Sequence, residues 1–126
     1  MESLRVVVVK WVIQYWHENE QFYIEQWLDE RTPQQFKSIV KEIKLLERCG
    51  NMLRLPHSRA LGEGLFELRE RTYGYRIYYT FLPNHNIIIL QAGSKHSQKN
   101  DIKISRERLL KCYSQDKDEK NETKKI

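Results

Sequence analysis

An α+β fold is what this 126-residue chain predicts, and three patterns predict it. A β-branched run stands near the start, a capped amphipathic helix follows from about residue 33, and three strand-like segments joined by short turns come after it. The length suits one domain with one modest core. That domain is expected over residues 1–113, ahead of a charged tail at 114–126.

The first strand is read from Val6 to Val9, with its end before Gln14. The surrounding stretch "VVVVKWVI" is interrupted by Lys10 and lacks a small-residue cleavage site, so it reads as a strand and not as a signal peptide. No apolar run approaches the roughly 18 residues of a membrane span. A first helix over Glu20 to Glu30 would pair Tyr23 with Trp27 and Ile24 with Leu28 at i,i+4. A second begins where Thr32 can cap and Pro33 suits the first turn, and it ends at Gly50. Phe36, Ile39, Val40, Ile43 and Leu46 form its apolar stripe.

From Asn51 to Gly64 the periodicity fades and Pro56, Gly62 and Gly64 mark a loop. Strands over Leu65–Arg71, Tyr75–Leu82 and Ile87–Ala92 then make an antiparallel meander, with turns at "TYG" and "PNHN". A helix over Asp101–Tyr113 presents Ile102, Leu109, Leu110 and Tyr113. Beyond Ser114 almost nothing is apolar, and disorder is expected. Cys49 and Cys112 cannot build a disulfide framework, and no Cys/His pair has metal-ligand spacing; unpaired thiols fit a cytoplasmic location.

The net charge of +5 is unevenly spread. Residues 69–113 hold nine basic and three acidic groups, whereas residues 1–50 hold seven and eight. A surplus gathered in one segment attracts polyanions, nucleic acid or an acidic protein alike. Within that segment, strand alternation sets Tyr75, Ile77, Tyr79 and Phe81 on a core face and Arg76, Tyr78 and Thr80 on the other, taken to be open. Glu67 and Arg69 share that second face. A four-residue turn would put Arg69 directly across from Arg76; a three-residue turn with a bulge at Gly74 would shift the pairing. Either way two guanidiniums lie close together, which is unfavourable unless an anion sits between them or Glu67 pairs with one.

Just past the last strand, "GSKHSQKN" adds Lys95, His96 and Lys99. Arginine can bind phosphate and neutralise its charge, and histidine exchanges protons near neutral pH. With no metal site in the spacing, the set suits RNA cleavage in which the 2′-hydroxyl is the nucleophile.

These blocks together resemble the RelE/ParE superfamily of toxins from type II toxin–antitoxin pairs, and within it the phage-derived, HigB-like branch. The resemblance covers roughly residues 5–113 and rests on Gly64–Arg69, Tyr75–Arg76, the apolar strand Ile87–Leu90, and Lys95–His96. The branch's usual lysine pair is Lys95–His96 here. Its preceding aromatic residue is replaced by Ala92, Gly93 and Ser94, and its following proline is absent at Asn100–Asp101.

The resemblance implies a RelE-like fold, a twisted, mainly antiparallel sheet on two N-terminal helices with a C-terminal helix. It implies an mRNA endoribonuclease working on the ribosome without metal or cofactor, restrained by a helix-turn-helix antitoxin. Arg76 would then stabilise the reacting phosphate, Arg69 hold a neighbouring one, and Lys95 and His96 share proton transfer. Tyr78, Arg71, Lys99 and Lys103 would contact RNA. The alternative within the superfamily is a non-catalytic, ParE-like inhibitor of DNA gyrase.

Overall fold

The computed structural model describes residues 9–124, with side chains described to residue 114. Five strands and three helices run in the order β1 (Val12–Tyr15), α1 (Tyr23–Asp29), α2 (Pro33–Cys49), β2 (Ser58–Gly62), β3 (Leu65–Glu70), β4 (Tyr75–Leu82), β5 (Asn86–Ser94) and α3 (Gln98–Lys124). The sheet order is β1-β5-β4-β3-β2, with β1 parallel to β5 and every other pair antiparallel. The expected α+β architecture is therefore present.

Local chemistry accounts for the best-read elements. Thr32 and Gln35 form a reciprocal capping box at the start of α2, with Pro33 in its first turn. At the other end Gly50 has φ +49, and the Trp11 indole occupies the place a side chain there would need. Ile39, Ile43 and Leu46 turn inward from α2 and join Leu68, Ile77, Tyr79 and Ile89 in the core.

Three expectations change. Val6, Val7 and Val8 lie outside the described residues, and Val9 is not in a strand; β1 runs through Gln14 to Tyr15. Its register against Asn86–Ile89 comes from pairing and from burying Trp16, not from β-branched content. The stretch read as a loop contains β2, "SRALG", an edge strand with a bulge between Ala60 and Gly62. Its residues have little strand preference, and pairing with β3 supplies what the local sequence does not. Helix α3 starts at Gln98, three residues ahead of the expected Asp101, and its assigned span is Gln98–Lys124.

The largest correction concerns the face thought to be open. Helices α1 and α2 cover the Ile77 and Tyr79 side, and α3 covers the other. Tyr78, Thr80 and Glu67 are consequently buried beneath α3. The close approach depends on Gly93, because a Cβ there would meet the Asp101 carboxylate and the Ser97 hydroxyl of the α3 N-terminal segment. No helix among the described residues is long and apolar enough to cross a membrane.

Gly93→Ala should lift the start of α3 from the sheet and cost about 1–3 kcal/mol. Urea unfolding monitored by circular dichroism checks this; an unchanged midpoint would mean that α3 is not seated on Gly93.

Candidate nucleic-acid site

The β3–β4 turn sets the geometry of the basic cleft. Glu70, almost fully buried, accepts hydrogen bonds from the backbone N–H groups of Thr72 (2.7 Å) and Tyr73 (3.1 Å), and from the Ser38 hydroxyl of α2 (2.9 Å). A carboxylate satisfied in this way fastens the four-residue turn from Arg71 to Gly74 to the helix layer. Gly74 completes the turn at φ +81. Of the two registers open to the sequence, the four-residue turn is the one present, and Arg69 stands directly across from Arg76.

The same turn recruits the end of β5. The Lys95 N–H donates to the Gly74 carbonyl at 3.1 Å, which brings the Lys95 side chain alongside the arginines. Arg69, Arg71, Arg76 and Lys95 line a cleft of about 300 Å³ together with Glu70, Gly74 and Tyr75. Glu70 is the only acid in that lining, and its oxygens already accept several hydrogen bonds. The cleft therefore presents four cations around a small concave space, a field that favours phosphate.

The two facing arginines are not equivalent. Arg76 donates to Glu67 at 3.1 Å, with its side chain 12% exposed. Glu67 is wholly buried; it also accepts from Arg59 at 3.2 Å and from the Gln98 amide of α3 at 2.8 Å. Arg76 is thus held in place by a buried ion pair. Arg69 is partly exposed and has no ion-pair partner among the described residues. One guanidinium is anchored and the other is available to a ligand.

The remaining predicted residues are dispersed around this centre. Arg71 lines the cleft from the turn. His96 is exposed in the short 3-10 turn Lys95–Ser97, next to Lys95 but outside the cleft lining. Lys99 and Lys103 are exposed on α3. Tyr78 is fully buried under α3 and its hydroxyl has no hydrogen-bond partner, so stacking on a base is closed to it in this arrangement. Burial, with Glu67 and Asp101 nearby, raises its phenol pKa above the ordinary value.

Of the organising residues the sequence points to one: Glu67 shares a face with Arg69 and Arg76 and can pair with either, and the structure pairs it with Arg76. Gln98 and Asp101 carry no pattern at all; Asp101 accepts from Gln91 at 3.1 Å and from Ser97 at 2.5 Å. Gly93, read as lying just past a strand ending at Ala92, proves to be inside β5, which runs to Ser94; a glycine within a strand marks a close approach.

Residues 26–110 match the family model described as "Phage derived protein Gp49-like (DUF891)", and the chain belongs to that family, a family of RelE-like toxins. No curated protein matches the sequence. Among solved structures the chain is similar to E. coli toxin RelE, in a double arginine-to-alanine mutant in the free state. The identity is 10% and the TM-score 0.52, covering 75% of this chain and 96% of that one. That likeness establishes a RelE-like fold.

The asymmetry between the arginines has measurable consequences. Arg69→Ala relieves a like-charge pair and should leave stability unchanged or raise it by a few tenths of a kcal/mol. Arg76→Ala leaves Glu67 buried beside one half-exposed guanidinium and should cost about 3 kcal/mol. Equal losses in chemical denaturation would contradict the division of roles.

Tyr78→Phe removes a buried hydroxyl that has no partner, so stability at neutral pH should hold or rise by about 1 kcal/mol. Because the fold raises the Tyr78 pKa, the unfolded chain releases that proton first, and stability falls as pH climbs past about 10. The phenylalanine variant should blunt this alkaline loss in unfolding midpoints compared at pH 7 and above 10.

Proposed function

We propose that this member of the Gp49-like family is the toxin of a type II toxin–antitoxin pair and an mRNA interferase. It cleaves ribosome-bound mRNA in the cytoplasm without a metal or cofactor, inhibits translation, and is restrained by a helix-turn-helix antitoxin. The observation that carries this reading is the convergence of Arg69, Arg71, Arg76 and Lys95 on one cleft, with Arg69 lacking an acidic partner among the described residues. A like-charged pair held by turn geometry is unfavourable until an anion lies between its members. RNA phosphate is such an anion, and the RelE-like fold supports the same assignment.

The chemistry follows from these groups. The RNA 2′-oxygen attacks the adjacent phosphorus while a base takes its proton; the phosphorus–O5′ bond then breaks as an acid protonates the leaving oxygen. Products are a 2′,3′-cyclic phosphate, which can open to a 3′-phosphate, and a 5′-hydroxyl. Arg76, fixed by Glu67, neutralises the charge that grows on the phosphoryl oxygens. Arg69 holds a neighbouring phosphate, and Arg71 guides the strand from the turn. Lys95 and His96, adjacent in one exposed turn, divide the two proton transfers. Lys99 and Lys103 supply weaker attraction along α3.

Induction in a bacterium, followed by mapping of mRNA 5′ ends, tests the reading. New ends should carry 5′-hydroxyls, and cleavage should survive EDTA in any assay whose RNA substrate does not itself need the metal. Arg69→Ala, with its fold intact, should slow cleavage by about 10²–10³-fold, and growth arrest should depend on Arg76 more than on Arg71. Intact mRNA with altered DNA supercoiling would replace the nuclease by a ParE-like gyrase inhibitor. Products with 5′-phosphates would overturn the 2′-hydroxyl mechanism.

A further inference from the structure

The basic groups of α3 are less available to a partner than their number suggests. Arg106 donates to the carbonyls of Leu61 (3.0 Å) and Gly62 (3.2 Å). Arg108 donates to the Leu90 carbonyl at 2.6 Å and lies over the Tyr23 ring. Lys111 pairs with Glu18 at 2.8 Å. These cations hold α3 on the sheet.

A different set is unengaged. Lys37, Lys41, Lys44 and Arg48 recur along α2 at i, i+4, i+7 and i+11, which places them in one stripe. All four are exposed, and none has an ion-pair partner among the described residues. Of the acids on α2, Glu42 is drawn away to His57 at 3.0 Å, whereas Glu47 meets Lys10 at 3.9 Å within the groove described next, where it is the one acid among the lining cations. Beside the stripe runs a groove of about 950 Å³ between α2 and the β3–β4 turn. Phe36 (44% exposed) and Val40 line it from the helix, and Tyr73 (43% exposed) faces them from the turn.

We propose that this groove is the docking site for an acidic amphipathic helix of a partner protein. A partner helix would set apolar residues on Phe36, Val40 and Tyr73, and carboxylates at matching turns against the lysine stripe. Charge complementarity along a heptad-like spacing selects a helix over an irregular acidic segment. The apolar floor selects a protein over a nucleic acid, whose backbone would leave Phe36 and Val40 without partners. The antitoxin proposed above is the natural candidate, so the proposal adds a surface and a chemistry to that reading. It stands whatever the cleft does.

The test uses a synthetic helical peptide of about 20 residues with leucines on one face and glutamates flanking them. A scrambled peptide of equal charge and a single-stranded RNA oligonucleotide of similar length serve as comparisons. Binding to the full chain is measured by fluorescence anisotropy, with folding of each variant checked by circular dichroism. The amphipathic peptide should bind, more weakly as salt rises. Phe36→Ser and the double variant K41E/K44E should each weaken it at least roughly tenfold, whereas Arg69→Ala should not. Equal binding of the scrambled peptide would overturn the proposal in favour of a simple polyanion site. RNA binding lost in K41E/K44E, with no peptide binding, would make this an RNA surface. Peptide binding indifferent to both variants, or absent without RNA binding, would end the proposal. None of these outcomes bears on RNA cleavage, which the Arg69 variant reads separately.

Discussion

The buried carboxylate of Glu67 is the contact on which the site depends. It draws Arg59 from β2, Arg76 from β4 and Gln98 from α3 onto a single side chain of β3. A carboxylate with no access to water is tolerated only when its lone pairs are filled by donors, preferably charged ones. Filling them brings the edge strand, the central hairpin and the start of α3 together. The same requirement immobilises Arg76 at the lip of the cleft. An arginine in a strand thus acts as a structural counter-ion while still lining the basic cleft.

Glu70, the residue after Arg69, has a matching role. Its position on the opposite face of β3 points it at α2, where the Ser38 hydroxyl and the turn amides receive it. The two acids therefore act on opposite layers. One sets the length of the turn and with it the cross-strand register, and the other holds a member of the resulting arginine pair. Arg69, between them in sequence, is left without an acidic partner among the described residues. A residue whose charge the fold does not use, at a position where it raises the energy of the folded state, is characteristic of a site shaped by what it binds.

The basic cleft lies at one end of the central hairpin, where the β3–β4 turn meets the exit of β5. Helix α3 begins immediately afterwards, seated on Gly93, so the residues that follow β5 are bent into a short 3-10 turn beside the cleft. That connection places Lys95 against the arginines while leaving His96 outward. The fold similarity to a RelE toxin at 10% identity shows that the fold itself does not need a particular core sequence.

The sequence by itself determined the fold class, the capped helix α2 and the hairpin β3–β4, because each is written in local chemistry: a Thr-Pro start, an amphipathic period, alternation with turn residues between. It also located the basic surplus and the family's blocks, since charge and motif are properties of order along the chain. Other features were decided only by tertiary structure. Strand β2 has weak local preference and exists through its pairing with β3. The face of β4 that alternation left open is closed because Gly93 lets α3 approach, and this buries Tyr78 and turns Glu67 from a surface acid into an internal one. The pairing of Arg76, and not Arg69, with Glu67 depends on side-chain reach within a packed layer. Burial and long-range hydrogen bonding join residues 31 or more positions apart, such as Glu67 with Gln98 and Ser38 with Glu70, and no periodicity along the chain records such a meeting.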